Sequence, residues 1–370
     1  YTMIFFPTAD EDFQYFRSQG YTGSLNDMHY KAMGDLGYTG SLNDRIHAYL
    51  ISEYGSFYEA MRDLRNGTSV FSLLSAYAVN GFDPALVFDF VGNYFRKSAT
   101  DSTFGASITH ARASSATMVN SSGTLVTVGN NVPRTGHHIY NGSAWVNEGI
   151  LHESEARTNQ MANSGDLTGA GWAGNAIIGT ATAGSAFGTY QITSPSSSSA
   201  TISPAQRYQI GKSITSGSTY VGWSLVKYSA GSGWFAVNMY DTGKANEQSW
   251  FDVQNGVVGS KQALIIDHGM VDYGDGWWLC WASSNAASGS GGVSYEVPNG
   301  DGLQSCSSAD VILIAGTQFE QGATPSSYIP TGSVAATRAA ETLTVPAANL
   351  PYDSTNMSIQ MDGKMTYADT

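Results

Sequence analysis

The chain has 370 residues, room for two or three domains, and its 42% hydrophobic content excludes a disordered polymer. Charged residues make up only 13%, the net charge is −13, and no lysine or arginine cluster is present. Nucleic acid is therefore not an expected partner, and membrane insertion is not expected either, because no apolar run reaches the roughly 18 residues of a span.

Residues 1–80 read as helical. Gly-Tyr-Thr-Gly-Ser-Leu-Asn-Asp runs from Gly20 to Asp27 and again from Gly37 to Asp44, a period of 37 − 20 = 17 residues, with a degenerate third copy from Tyr54. Ser24 with Asp27, Ser41 with Asp44 and Ser56 with Glu59 fit a capping box, in which hydroxyl and carboxylate each satisfy a terminal N–H. Gly20 and Gly37 stand where a left-handed residue stops a helix. Helices of roughly ten residues are too short to persist alone in water. They must stack on one another or on a partner, so this segment is expected to anchor the chain, with Tyr21, Leu25, Met28, Tyr38, Leu42, Ile46 and Phe57 as contact residues.

Residues 81–164 read as a β-rich connector, with strand-like stretches at 88–90, 124–128 and 149–151 and tight turns at Asn80-Gly81, Ser122-Gly123 and Asn141-Gly142. Residues 165–345 are more regular. Strands are expected at 174–182, 187–193, 206–215, 218–228, 234–240, 249–254, 262–267, 276–283, 292–297 and 310–320, separated by Gly/Ser turns. That pattern predicts an antiparallel β-sandwich of the jelly-roll kind. Residues 346–370 read as a linker and the start of a further β domain, cut within the alternating Met357, Ile359 and Met361. The expected class is α+β and multidomain: short-helix repeats, then a mainly β region with the sandwich. Cys280 and Cys306 are too few for a disulfide framework and are expected as separate thiols.

Three segments carry a resemblance. Ala111-Arg112-Ala113-Ser114-Ser115-Ala116-Thr117, Asn131-Val132-Pro133-Arg134 and Glu155-Ala156-Arg157-Thr158-Asn159 occur in that order. This resembles a pattern of tailed-bacteriophage structural proteins, where it precedes a carbohydrate-binding-module-like jelly roll. Gly274-Asp275-Gly276-Trp277-Trp278, Gln318-Phe319-Glu320-Gln321-Gly322 and Ser327-Tyr328-Ile329-Pro330-Thr331 are similar to its downstream segments. The resemblance covers about residues 85–340 and the repeats, and departs from the pattern at His152 and Ser154. It implies a fibre or appendage protein of the virion, a homotrimer held to other virion proteins by its N-terminal region and facing host-surface polysaccharide. Two alternatives stand beside it: a capsid decoration or connector subunit without ligand, and the adaptor part of a tailspike depolymerase.

A glycan site needs aromatic faces for sugar C–H groups beside polar side chains. Trp234, Trp250, Tyr240 and Trp278 are the candidates. Trp277 and Trp281 are expected in the core, because Trp277, Leu279 and Trp281 share one strand face while Trp278 and Cys280 share the other. No catalytic residue is expected: Asp267, Asp272, Asp275, Glu296, Asp301, Asp310 and Glu320 show no spacing that forces a hydrolytic pair. No cofactor is expected beyond room for a structural Ca²⁺ held by aspartates. His137-His138, with His152 and Glu153, match no metal signature and read as a solvated loop. Arg112, Arg134 and Arg157 are expected in buried or interfacial ion pairs with Asp89, Glu148 or Glu155.

Overall fold

A computed structural model describes residues 85–97, 100–179, 190–193, 205–245 and 247–350, together with Thr39. The helical repeats expected over 1–80, with Tyr21, Leu25, Met28, Tyr38, Leu42, Ile46 and Phe57, lie outside the described residues, as does the strand expected after Asn356. What is described is nearly all β: one helical turn, α1 (Phe104–Ser107), and one 3₁₀ turn (Ala347–Asn349) accompany the strands. The α part of the expected class thus falls on residues that are not described.

The described residues divide into two compact units. The smaller contains 85–109 and 344–350. Its strands β1 (Val87–Asp89), β2 (Tyr94–Lys97) and β3 (Thr100–Ser102) form an antiparallel meander. Asp89 accepts from the N–H groups of Val91 and Gly92, and Asn93 takes φ 50°, which together close the first turn. Phe88, Phe90, Phe95 and Phe104 pack in T-shaped and tilted contacts, with ring centroids 5.6–6.3 Å apart.

The larger unit is His110–Leu343. β4 (Thr109–Ala111) leads into it and β22 (Thr342–Thr344) leads out. Two hairpins follow β4: β5 (Ala116–Val119) with β6 (Leu125–Val128), and β7 (Arg134–Tyr140) with β8 (Trp145–Leu151). Their turns are those expected. Asn120 accepts from Ser122 and Thr124 while Gly123 takes φ 74°, and Asn141 accepts from Ser143 and Ala144 while Gly142 takes φ 94°. His137 and His138, expected in a loop, lie half-buried in β7. Gly136 takes φ 72° there and a bulge shifts the register, so the pair stays in the ladder.

After β9 (Arg157–Asn159) come the strands of the sandwich: β10 (Ile177–Ile178), β11 (Tyr190–Thr193), β12 (Ala205–Ser213), β13 (Thr219–Ala230), β14 (Trp234–Asp241) and β15 (Glu247–Asp252). Then follow β16 (Val257–Lys261), β17 (Ile265–Asp272), β18 (Trp277–Asn285), β19 (Ser290–Val297), β20 (Val311–Gln321) and β21 (Ala336–Arg338). One sheet has the order β10-β11-β20-β13-β18-β17, the other β12-β19-β14-β15-β16, and every pair is antiparallel. Phe235, Val237, Phe251, Val293 and Tyr295 from one sheet meet Val226, Cys280, Ile312, Ile314 and Phe319 from the other. Each large side chain so buried contributes roughly 1.5–3 kcal/mol. β16 was not expected, and for a physical reason: it is an edge strand exposed on both sides, so its sequence carries no alternation.

β18 is apolar on both faces, as expected, because both faces are covered. Trp278, Cys280 and Ala282 point between the sheets. Trp277, Leu279 and Trp281 join Trp223, Leu225, Ala315 and Tyr328 in a second apolar cluster on the far face of the six-stranded sheet, where Leu125 of β6 also packs.

The segments that carry the resemblance converge beside this second cluster. Arg112 and Arg134, 1% and 0% exposed, both reach Glu341, at 2.5 and 2.6 Å. Arg134 also holds Glu153 at 2.7 Å, Arg338 approaches the same carboxylate at 3.1 Å, and Ser327 donates to it from backbone and hydroxyl. Burial pushes the Glu341 carboxyl up, but the Arg134 and Arg112 hydrogen bonds and the Arg134 charge outweigh it and hold the group at about 2. The arginines are therefore paired as expected, but Arg112 and Arg134 use Glu341 and Glu153 in place of Asp89 or Glu148. Only the fold brings Glu341 to them. Arg157 does pair with Glu155, at 2.9 Å. His152, at a departure from the resembled pattern, has its Nδ1 4.0 Å from Glu341.

Candidate functional site: the outer face of the five-stranded sheet

In β14, Phe235, Val237 and Met239 face the core, so Trp234, Ala236, Asn238 and Tyr240 face outward. The same alternation turns Gln248 and Trp250 outward on β15, Ser294 and Glu296 on β19, and Gln206 and Tyr208 on β12. Register then sets them in rows. Gln206, Glu296, Ala236 and Trp250 lie across the four strands, and Tyr208, Ser294, Asn238 and Gln248 form the next row.

Polar groups interlock here. Asn238 donates to Glu296 Oε1 at 2.9 Å, Gln248 donates to Oε2 at 2.5 Å, and Ser294 donates to Gln206 at 3.3 Å. Gln304, from the loop after β19, donates to Gln248 at 2.7 Å. Glu296 is 2% exposed, and burial pushes its carboxyl up, opposed by its Asn238, Gln248 and Ser294 hydrogen bonds. Asn238 Oδ1 is buried without a partner, an acceptor left over in an otherwise satisfied network.

The four aromatic candidates fare differently. Trp234 and Tyr240 are half-buried on this face. Trp234 lies over Gly259, where a Cβ would stand 2.7 Å from its ring. Trp250 shares the face but is only 3% exposed, since the loop covers it and Leu303 accepts its indole N–H at 3.0 Å. Trp278 does not join them: it belongs to the other sheet, points inward and packs on the main core. Asn238, Gln248, Ser294 and Tyr208 were not singled out in the sequence. The signal was present in the alternation Trp234-x-Ala236-x-Asn238-x-Tyr240, but the cross-strand rows were not.

The scattered carboxylates serve turns. Asp272 accepts from Gly274, Asp310 from Ser232 and Ser307, Asp301 from Ser260, Asp275 pairs with Lys227, and Glu320 takes Ser326. Among the described residues no three His, Cys, Asp or Glu gather as a metal site. Cys280 and Cys306 are not joined by a disulfide.

No family model matches the chain, and no curated protein matches it. Among solved structures it is similar to a CBM4 module, at 14% identity and TM-score 0.23, covering 40% of this chain and 77% of that one. It is also similar to the CBM22-1 xylan-binding domain of Paenibacillus barcinonensis Xyn10C, at 12% identity and TM-score 0.26, covering 47% of this chain and 99% of that one. A third is the CBM22-1–GH10 portion of Clostridium thermocellum xylanase 10B, solved with xylohexaose, at 14% identity and TM-score 0.26, covering 48% and 30%. At these TM-scores the likeness carries no weight, and the sandwich stands on its own strand order and register. Among the described residues no helix is long and apolar enough to cross a membrane.

Proposed function

We propose that the chain is a non-enzymatic appendage protein of a tailed-phage virion that binds host-surface polysaccharide on the outer face of its five-stranded sheet. One observation carries the binding reading. A buried carboxylate, Glu296, is oriented by two amides, beside an unpartnered Asn238 oxygen and the half-buried rings of Tyr208 and Tyr240. Oriented amides and hydroxyls beside aromatic faces suit the hydroxyls and C–H faces of a sugar. The virion assignment, the homotrimer and attachment through the N-terminal region rest on the motif resemblance and the helical repeats.

The test is affinity electrophoresis of the full chain in gels containing capsular or lipopolysaccharide glycans, with xylan as a plant-polymer control. Retardation by a bacterial glycan is expected, weakened about tenfold in Tyr240→Ala, a loss of about 1.4 kcal/mol. Unretarded migration in every bacterial glycan, with the fold intact, would leave a ligand-free decoration subunit as the better description.

A further inference from the structure

A second candidate site lies on the opposite side of the sandwich. Between the far face of the six-stranded sheet and the β5–β6 and β7–β8 hairpins is a cavity of about 200 Å³. Trp223, Leu225 and Leu279 line it from the sheet, and Leu125, His137 and Trp145 from the hairpins. That volume exceeds the roughly 150 Å³ that admits a benzene ring and is below the about 300 Å³ of a drug-sized pocket. One ring or one substituent group fits.

Its polar inventory is one-sided. Trp223 is 1% exposed, and its indole N–H is buried without an acceptor. Elsewhere the fold satisfies such groups: Trp172 donates to Asn163 at 3.1 Å and Trp250 to Leu303 at 3.0 Å. His137 Nδ1 accepts from the Val119 N–H at 3.3 Å, which places the ring proton on Nε2. Burial, with the nearby Arg134 charge, lowers the His137 pKa to about 4, so the ring is neutral at pH 7. Tyr273 also lines the cavity, packed against Trp145 with ring centroids 6.3 Å apart. The two carboxylates at the wall are already engaged, Glu153 by Arg134 and Ser327, and Asp272 by the Gly274 N–H. An unmet indole donor within an apolar, aromatic wall calls for an uncharged group with an acceptor oxygen and an apolar flank.

We propose that this cavity is a binding site for the acetamido group of an N-acetylated sugar, its carbonyl accepting from Trp223 Nε1 and its methyl lying against Leu125 and Leu279. The site is separate from the five-stranded face and stands or falls without it. The test titrates the full chain with N-acetylglucosamine, and with glucose as the control lacking the amide. Calorimetry is read alongside the indole N–H resonances of the ¹⁵N-labelled protein. Saturable binding of N-acetylglucosamine alone is expected, with the Trp223 indole resonance shifted. Trp223→Phe, which keeps the ring and removes the donor, is expected to weaken it about tenfold, and Leu125→Trp, which fills the cavity, to abolish it. Val334→Ser, at an exposed side chain that does not line the cavity, is expected to leave it unchanged. Equal binding of glucose, no saturable binding, or an unmoved Trp223 resonance in the wild-type protein would each overturn the proposal. The resonance requires no variant, so a misfolded substitution does not blunt the test.

Discussion

The two outer faces of the sandwich are built on opposite terms. The six-stranded sheet presents Trp223, Leu225, Trp277 and Leu279, and the chain itself covers them with two hairpins and Tyr328. The five-stranded sheet presents Glu296, Asn238, Gln248 and Ser294, and a single loop reaches over part of them through Leu303 and Gln304. An apolar face is completed by more protein, fastened at its margin by a buried ion cluster. A polar face is completed by oriented hydrogen bonds.

The sharpest way to break this contrast is at the fastening. Glu341→Ala strands Arg112 as an unpaired buried cation and leaves Arg134 with Glu153 alone, and is expected to cost about 3–5 kcal/mol, read by denaturant unfolding. A loss under about 1 kcal/mol would mean that apolar packing alone holds the hairpins down. Leu279→Ala, which opens a void under the hairpins, should cost about 2–5 kcal/mol by the same measurement.

Acid should act on the same cluster. Glu341 is lowered to about 2 and Glu153 is lowered too, so their stabilisation is complete above the ordinary carboxylate range and is lost as pH falls from about 4.5 towards 2. For Glu341 that amounts to about 3 kcal/mol. Glu296 and Glu320 are raised, so their contribution runs the other way and favours the native state as pH falls through their titrations. Thermal midpoints followed from pH 7 to pH 2 should therefore fall steeply in the wild type and less steeply in Glu341→Ala.

Effects on the polar face should be smaller. Gln304→Ala removes one hydrogen bond to Gln248 and is expected to cost about 1 kcal/mol of stability. Val334→Ser, at a side chain 71% exposed, should change stability by less than about 0.5 kcal/mol, and calorimetry that found more would show that this surface is covered in solution.

Much of the sandwich was legible in the sequence. Alternation marked Tyr220–Val226 and Trp234–Tyr240, and both lie in long strands with buried inward faces. Ser122-Gly123 and Asn141-Gly142 announced their turns, which the Asn120 and Asn141 side chains close by bonding their own backbone. β16 was illegible, since a strand exposed on both sides has no hydrophobic period. His137-His138 misled because a polar pair after glycine looks like a loop, whereas a bulge keeps it in the ladder. The aromatic candidates divided for a similar reason: alternation assigns a side chain to a face, but it does not say which face a loop will cover or which sheet the strand enters.

By itself the sequence determined the period of the buried strands, the chemistry of their turns and the scarcity of charge. These depend on residues within a few positions of one another. The tertiary structure decided which glutamates the arginines meet, which tryptophans are sealed, and which amides surround Glu296. Those outcomes need partners more than two hundred residues apart in one case, or on neighbouring strands in another, and only the closing of the sheets brings them within bonding distance.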